Sequence, residues 1–166
     1  DGMILRSHDD LTPWFGSGNE PSFASGRIAY HLGVRGGAMN ISTACSSSLV
    51  GVHLARQGLL LGETDRAIVC GVTLHLSEQL TDYMGLIGAL SNTDQCRHFS
   101  TAADGMTRGE GGVALVLRRL SDAIDDRDSI LAVIAGSAIN HDGASAGFTA
   151  PSAIAQSQVM RDALER

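Results

Sequence analysis

Cys45 is the residue whose local sequence is best suited to nucleophilic chemistry. It lies in a turn, Ala44–Ser48, between a predicted short strand over 38–43 and a predicted helix that continues to Leu61. At such a junction the N–H groups of the first helical turn point towards the cysteine, and the helix dipole adds partial positive charge. Both effects favour the thiolate, which is the nucleophilic form of cysteine. The same backbone N–H groups, including that of Cys45, are candidate donors to an oxyanion on a bound thioester.

A cysteine that only packs at the start of a helix fits the same local pattern, because free cysteines are often buried and unreactive. Cys70 illustrates this second kind, since it lies in the apolar run Ala67–Val72, where burial would disfavour the thiolate. We therefore expect Cys45 to react with an alkylating reagent faster than Cys70 or Cys96.

The remaining cysteine and histidine spacings indicate no metal site. Three cysteines without a C-x-x-C spacing predict neither a disulfide framework nor a zinc site, and the six histidines show no ligand spacing. His53 follows Cys45 by eight residues, about 12 Å along a helix. It is therefore expected to pack or to face solvent and not to pair with the cysteine.

Composition excludes several classes of partner. The net charge is −6, the twelve basic residues are all arginine without a cluster, and only 4% of residues are aromatic. This composition argues against nucleic acid as a ligand. The apolar runs are too short to cross a bilayer, and three thiols without a disulfide pattern suit the cytoplasm. The first residue is not Met and the last lies in a helical pattern, so we expect a portion of a larger domain.

The hydrophobic pattern predicts a layered α/β fold, because apolar strand-length runs alternate with helical segments. Residues 1–20 are predicted to form a loop, and residues 73–112 are mostly irregular. The predicted helices are Ser22–Leu32, the segment after the Cys45 turn, Ser77–Met84, Ser121–Asp126 and a last helix from Ser152. The predicted strands are Ala38–Thr43, Ala67–Val72, Val113–Leu117 and Ile130–Ile139, the second of them covered on both faces.

Five segments together resemble the β-ketoacyl synthases of modular polyketide synthases, and they occur in the family's order. They are Ser25–Tyr30 (SGRIAY), Thr43–Val50 (TACSSSLV), Leu90–Phe99 (LSNTDQCRHF), Ala103–Gly111 (ADGMTRGEG) and Asn140–Pro151 (NHDGASAGFTAP). The resemblance identifies Cys45 as the acyl-accepting nucleophile. Arg108 and Glu110 are interpreted as structural hydrogen-bonding residues of a turn that enters a strand, since the phosphate-loop ending G-K-[ST] is missing.

The resemblance implies a thiolase-like layered αβαβα fold. Residues 1–166 are then an incomplete ketosynthase domain, comprising most of the N-terminal half and the start of the C-terminal half. The implied reaction is a decarboxylative Claisen condensation between a Cys45-bound acyl group and a malonyl-type extender on acyl carrier protein. No cofactor is implied beyond the carrier's phosphopantetheine arm. The family's two further histidines, one in an H-G-T-G-T motif, and its lysine are absent here and expected downstream.

The implied partners are acyl carrier protein, neighbouring polyketide synthase domains and a second copy that pairs through Ala38–Thr43. Tyr83, Met84 and Leu86 stand where the family borders its acyl pocket, although core packing explains them equally well. Two alternatives stay open: a non-elongating ketosynthase that only binds and transfers acyl chains, and a fatty-acid ketosynthase or thiolase of the same fold.

Overall fold

The computed structural model describes residues 12–166, which form six α-helices, one 3-10 helix and a two-stranded sheet. The helices are α1 (Phe15–Asn19), α2 (Ser22–Leu32), α3 (Ser47–Leu60), α4 (Gln79–Leu86), α5 (Leu120–Asp125) and α6 (Ala153–Leu164). The 3-10 helix is Ala44–Ser46, and the hydrogen-bonded strands are β1 (Arg66–Thr73) and β2 (Gly111–Arg118).

The chain divides into two compact units. Of the described residues, the first unit comprises 12–40 and 71–113, and the second comprises 41–70 and 114–166. Helices α1, α2 and α4 belong to the first unit, whereas the 3-10 helix, α3, α5 and α6 belong to the second.

The helix predictions are largely confirmed, because their signals are local. Helix α2 has the predicted bounds and ends at Gly33, whose φ of 66° is left-handed and favours glycine. Helix α6 starts after Ser152, whose hydroxyl oxygen accepts the N–H of Ala155 at 3.2 Å, an N-cap interaction. The predicted loop over 1–20 is wrong at α1, and residues 1–11 lie outside the described part of the chain.

Two of the four predicted strands form, and two do not. Strands β1 and β2 confirm Ala67–Val72 and Val113–Leu117 with slightly wider bounds. Residues 38–43 and 130–139 were predicted as strands, and neither forms one. Both segments have suitable residues, but a strand also needs a neighbour to complete its hydrogen bonds, and within residues 12–166 neither segment is paired in a sheet.

The described residues bury little apolar surface. Only Leu59 and Ala123 are buried among their apolar side chains. The apolar residues on more than one face of α3 predict a buried helix, and this prediction is wrong, because α3 buries only Gly51, His53 and Leu59. The expectation that β1 is covered on both faces is wrong, because its residues alternate between exposed and half-buried up to Gly71. Cys70 lies on the exposed side of β1 and is not buried as predicted.

Arg119 holds the end of α3 in the second unit. Its Nη1 donates to the carbonyl oxygens of Leu59 at 3.1 Å and Thr64 at 2.9 Å. Its other nitrogens bind the carboxylates of Asp65 and Asp122. The last carbonyls of a helix lack intrahelical partners. The Leu59 carbonyl accepts the N–H of Gly62 and, as a second donor, this guanidinium, which thereby links the helix end to the chain that enters β1.

A close backbone approach in the first unit explains Gly105. Leu90 and Met106 form a parallel bridge, and the Ser91 hydroxyl donates to Asp104 Oδ1 at 2.7 Å. This bond, with smaller contributions from the Asn92 N–H and Arg97, lowers the pKa of the Asp104 carboxyl. Gly105 itself has a φ of 147°, and a Cβ there would lie 2.4 Å from the carbonyl carbon of Leu90.

Replacement of Gly105 by alanine should therefore destabilise the fold. Both the backbone conformation and the contact with Leu90 oppose a methyl group, so we expect a loss on the order of 1–3 kcal/mol in the free energy of unfolding. Denaturant unfolding measures the loss. Gly109→Ala is the matched control, since a Cβ there meets nothing within 4 Å, and we expect a change of less than about 0.5 kcal/mol. Equal losses in the two variants would contradict this account.

Candidate active site around Cys45

Cys45 is the middle residue of the 3-10 helix Ala44–Ser46, directly before α3, and it is exposed. The prediction of a turn followed at once by a helix is confirmed. The strand predicted over 38–43, before the turn, does not form. The thiol is therefore presented at the N-terminal end of a 14-residue helix and is open to solvent.

Two serine hydroxyl groups clasp the turn that contains Cys45. The N–H of Thr43 donates to Ser47 Oγ at 2.8 Å, and Ser47 Oγ donates to the carbonyl oxygen of Ala44 at 2.7 Å. The second hydroxyl, Ser46 Oγ, donates to the carbonyl oxygen of Thr43 at 2.8 Å. We call these bonds the hydroxyl clasp. They fix the backbone on both sides of Cys45 without using the cysteine side chain.

The clasp holds a strained residue next to the thiol. Ala44 has a φ of 52°, in the left-handed region, which costs a residue with a Cβ about 1–2 kcal/mol. Such conformations persist only where surrounding bonds determine them, and they cluster at functional sites. The hydroxyl clasp supplies those bonds here, because the Ser47 hydroxyl bonds to the N–H of the preceding residue, Thr43, and to the carbonyl oxygen of Ala44 itself.

Two backbone N–H groups near the thiol are used within the turn. The N–H of Ser46 donates to the Thr43 carbonyl oxygen at 3.3 Å, and that of Ser47 donates to Ala44. They are therefore not aimed at the Cys45 side chain as the sequence led us to expect. The Cys45 N–H as an oxyanion donor stays a prediction.

Cys96 has a thiolate-stabilising environment that the sequence did not reveal. Its Sγ accepts the N–H of Thr107 at 3.1 Å and lies 3.4 Å from Thr107 Oγ1. These bonds, the side-chain one foremost, lower the pKa of the Cys96 thiol. Cys96 and Cys70 are both exposed, so burial does not protect either thiol from alkylation. Faster alkylation of Cys45 therefore stays a prediction.

The predicted acyl-pocket residues lie on α4, in the first unit, whereas Cys45 belongs to the second. Tyr83 and Leu86 are exposed, and Met84 is half-buried. Their role in binding an acyl chain remains a prediction.

The structural hydrogen bonds predicted for Arg108 and Glu110 are confirmed, whereas the turn predicted around them does not form at 107–110. Arg108 Nη1 donates to Thr81 Oγ1 and so ties α4 to the chain before β2. Glu110 Oε1 accepts the N–H of His75, just after β1. Both residues are thus engaged with protein groups in the first unit.

Residues 12–166 contain no group of three or more histidine, cysteine or acidic side chains that could hold a metal ion. None of the helices described is long and apolar enough to span a membrane.

Comparison with known proteins identifies the family. Residues 3–123 match the Beta-ketoacyl synthase N-terminal domain, and residues 131–166 match the Beta-ketoacyl synthase C-terminal domain. The first match covers more than half of the chain, so this chain belongs to the β-ketoacyl synthase family.

Individual relatives agree with this assignment. The chain is 48% identical over 162 residues to one of the phenolphthiocerol/phthiocerol polyketide synthase proteins of Mycobacterium tuberculosis, covering 98% of the chain and 10% of that protein. Its structure is similar to the ketosynthase from module 6 of the bacillaene synthase of Bacillus subtilis 168. That similarity has a TM-score of 0.87 and 47% identity over 93% of this chain and 29% of the other. An oxazolomycin ketosynthase domain from Streptomyces albus gives a TM-score of 0.85 and 33% identity, covering 89% of this chain and 26% of that one. The predicted thiolase-like α/β fold is confirmed by these structures.

The Cys96 environment can be tested by its pH dependence. A lowered pKa means more thiolate at neutral pH, so Thr107→Val should raise the pH midpoint of Cys96 alkylation. At pH 7 the labelling rate with iodoacetamide should fall about two- to tenfold, because thiolate reacts and one hydrogen bond to it is lost. Thr107→Ser, which keeps the hydroxyl, is the control and should behave like the wild type. If Cys96 of Thr107→Val were labelled at the wild-type rate, the Thr107 hydroxyl would not lower the pKa of the Cys96 thiol.

Proposed function

We propose that this chain supplies the nucleophile of a ketosynthase that extends polyketide chains by decarboxylative Claisen condensation. The observation that carries the proposal is the exposed Cys45 in its clasped turn before α3, in a chain that belongs to the β-ketoacyl synthase family. A thiol that must accept acyl groups from a macromolecular donor has to be accessible and held in a defined position, and this turn provides both.

The reaction proceeds in two stages. The Cys45 thiolate attacks the carbonyl carbon of an acyl thioester on acyl carrier protein, and the carrier's phosphopantetheine thiolate leaves. A malonyl-type extender on a carrier protein then loses its free carboxylate as carbon dioxide, and the bonding electrons remain as an enolate. The enolate carbon attacks the Cys45 thioester, a C–C bond forms, the C–S bond breaks, and the Cys45 thiolate is regenerated.

The other residues have supporting roles in this proposal. The Cys45 N–H is a donor to the oxyanion that forms when its thioester is attacked. Tyr83, Met84 and Leu86 are candidate contacts of the acyl chain. Acyl carrier protein and neighbouring polyketide synthase domains are the proposed partners, and the phosphopantetheine arm is the proposed carrier of both substrates.

We further propose that residues 1–166 are an incomplete ketosynthase domain. The chain spans about a tenth of the length of the curated polyketide synthases and under a third of the solved ketosynthases that it matches. Large apolar side chains of the described residues are widely exposed, as at Val72 (73%) and Leu131 (96%). Exposed apolar surface of this kind indicates that further protein covers it.

The activity is tested by formation of a β-ketoacyl product from an acylated enzyme and malonyl carrier protein. A ketosynthase domain that contains these residues should form the product, and Cys45→Ala should reduce it by a factor of at least about 10³, since the covalent step is lost. Residues 1–166 alone should form none above background. Product formation by Cys45→Ala would contradict the proposal, whereas acyl transfer to Cys45 without condensation would identify a non-elongating ketosynthase.

A second prediction concerns a homodimer that pairs through residues 38–43. Met39 is 63% exposed, whereas the Ile41 side chain lies against α3 at Gly51, 3.6 Å from the position of a Cβ there. A change at Ile41 would thus disturb the protomer itself, and Met39→Lys is the suitable variant. It should shift the ketosynthase domain towards monomer because a charge is then buried at the pairing surface. Multi-angle light scattering measures the change. An unchanged dimer would exclude this surface.

A further inference from the structure

His53 is a buried polar side chain that the proposed reaction does not use. It lies on α3 and is 7% exposed. Its Nδ1 is 2.9 Å from Ser137 Oγ, and either atom can donate, depending on the imidazole tautomer. Buried polar groups strongly favour a hydrogen-bond partner, so the His53–Ser137 bond selects one position of α3 against the segment 129–140.

This bond joins the two parts of the chain that match different family domains. His53 lies within residues 3–123, which match the N-terminal domain, and Ser137 lies within residues 131–166, which match the C-terminal domain. Arg56, on the same side of α3, makes a second connection, because its Nη2 donates to the carbonyl oxygens of Ala135 at 3.1 Å and Arg166 at 3.2 Å. All of these residues belong to the second unit.

Helix α6 holds the segment 129–140 as well. A Cβ at Gly136 would lie only 1.9 Å from the carbonyl oxygen of Ala163, so the backbones approach closely there. Asn140 Nδ2 donates to the carbonyl oxygen of Ala155 at 2.7 Å. The segment 129–140 is thus in contact with α6 as well as with α3. Movement of α3 along this segment would break the His53–Ser137 bond.

We propose that His53, through Ser137, is a positioning residue for condensation and sets the place of the Cys45 turn relative to the C-terminal part of the chain. About two turns of continuous 3-10 and α-helix link Cys45 to His53. A shift of α3 at His53 therefore moves the thiol too. This inference rests on the proposed function. Condensation needs two acyl groups in register, and a displacement of about 1 Å can cost about a hundredfold in rate. Alkylation of an exposed thiol by a small reagent makes no such demand.

The test uses His53→Leu in a ketosynthase domain that contains these residues, with His53→Asn as the conservative variant. Leucine removes the bond to Ser137, whereas the asparagine amide offers a donor and an acceptor near the place of Nδ1. We expect His53→Leu to lower kcat for condensation about 10- to 100-fold, with KM for malonyl carrier protein and the Cys45 alkylation rate within about twofold of the wild type. His53→Asn should recover most of the loss. His31→Leu, a change at an exposed histidine of α2, should have no effect.

Three results would overturn the proposal: wild-type condensation in His53→Leu, equal losses of alkylation and condensation, or failure of His53→Asn to recover activity. Should His53→Leu fail to fold, Ser137→Ala removes a single hydroxyl from the same bond. It should lower kcat for condensation by a smaller factor and leave KM for malonyl carrier protein and the Cys45 alkylation rate unchanged. Wild-type kinetics of folded Ser137→Ala would then overturn it. A wild-type domain that condenses nothing would overturn the proposed function too, whereas an active domain indifferent to His53→Leu overturns the positioning role alone.

Discussion

The Ser47 hydroxyl forms the contact on which the geometry of the candidate site depends. It accepts from the N–H of Thr43 and donates to the carbonyl oxygen of Ala44, and so closes a ring of bonds around the residue before the thiol. Ala44 would otherwise leave its left-handed conformation, which is unfavourable for a residue with a side chain. Because Cys45 is exposed and receives little packing, these local bonds determine where its thiol lies.

Helix α3 connects this local arrangement to the rest of the second unit. Its first residue, Ser47, belongs to the clasp, its middle is held by His53 and Arg56, and its last turn is held by Arg119 at the Leu59 carbonyl. Each of these contacts is polar and directional, and few apolar side chains are buried alongside. The helix is thus positioned by specific bonds, which favours a precise location for the thiol at its start.

The sequence predicted those features whose determinants are local. The apolar patterns of α2 and α3, the start of the last helix near Ser152 and the serine-rich turn at Cys45 can all be recognised within a few residues. The strands over 38–43 and 130–139 failed because pairing depends on partners distant in the sequence. The bonds of His53 to Ser137 and of Cys96 to Thr107 span 84 and 11 residues, and no spacing rule indicates them. The order of family motifs predicted Cys45 as the nucleophile, whereas its position before a helix fits a packed cysteine as well.

Mapping the acyl adduct shows directly whether Cys45 accepts the acyl group. A ketosynthase domain that contains these residues is incubated with an acyl-pantetheine thioester and then digested with trypsin. Trypsin releases Cys45 on the peptide 36–56, because arginine occurs at 35 and 56. Cys70 and Cys96 share the peptide 67–97 and are separated by fragmentation in the mass spectrometer. We predict that the acyl mass is found on Cys45. An adduct on Cys96 or Cys70, with Cys45 unmodified, would contradict the account.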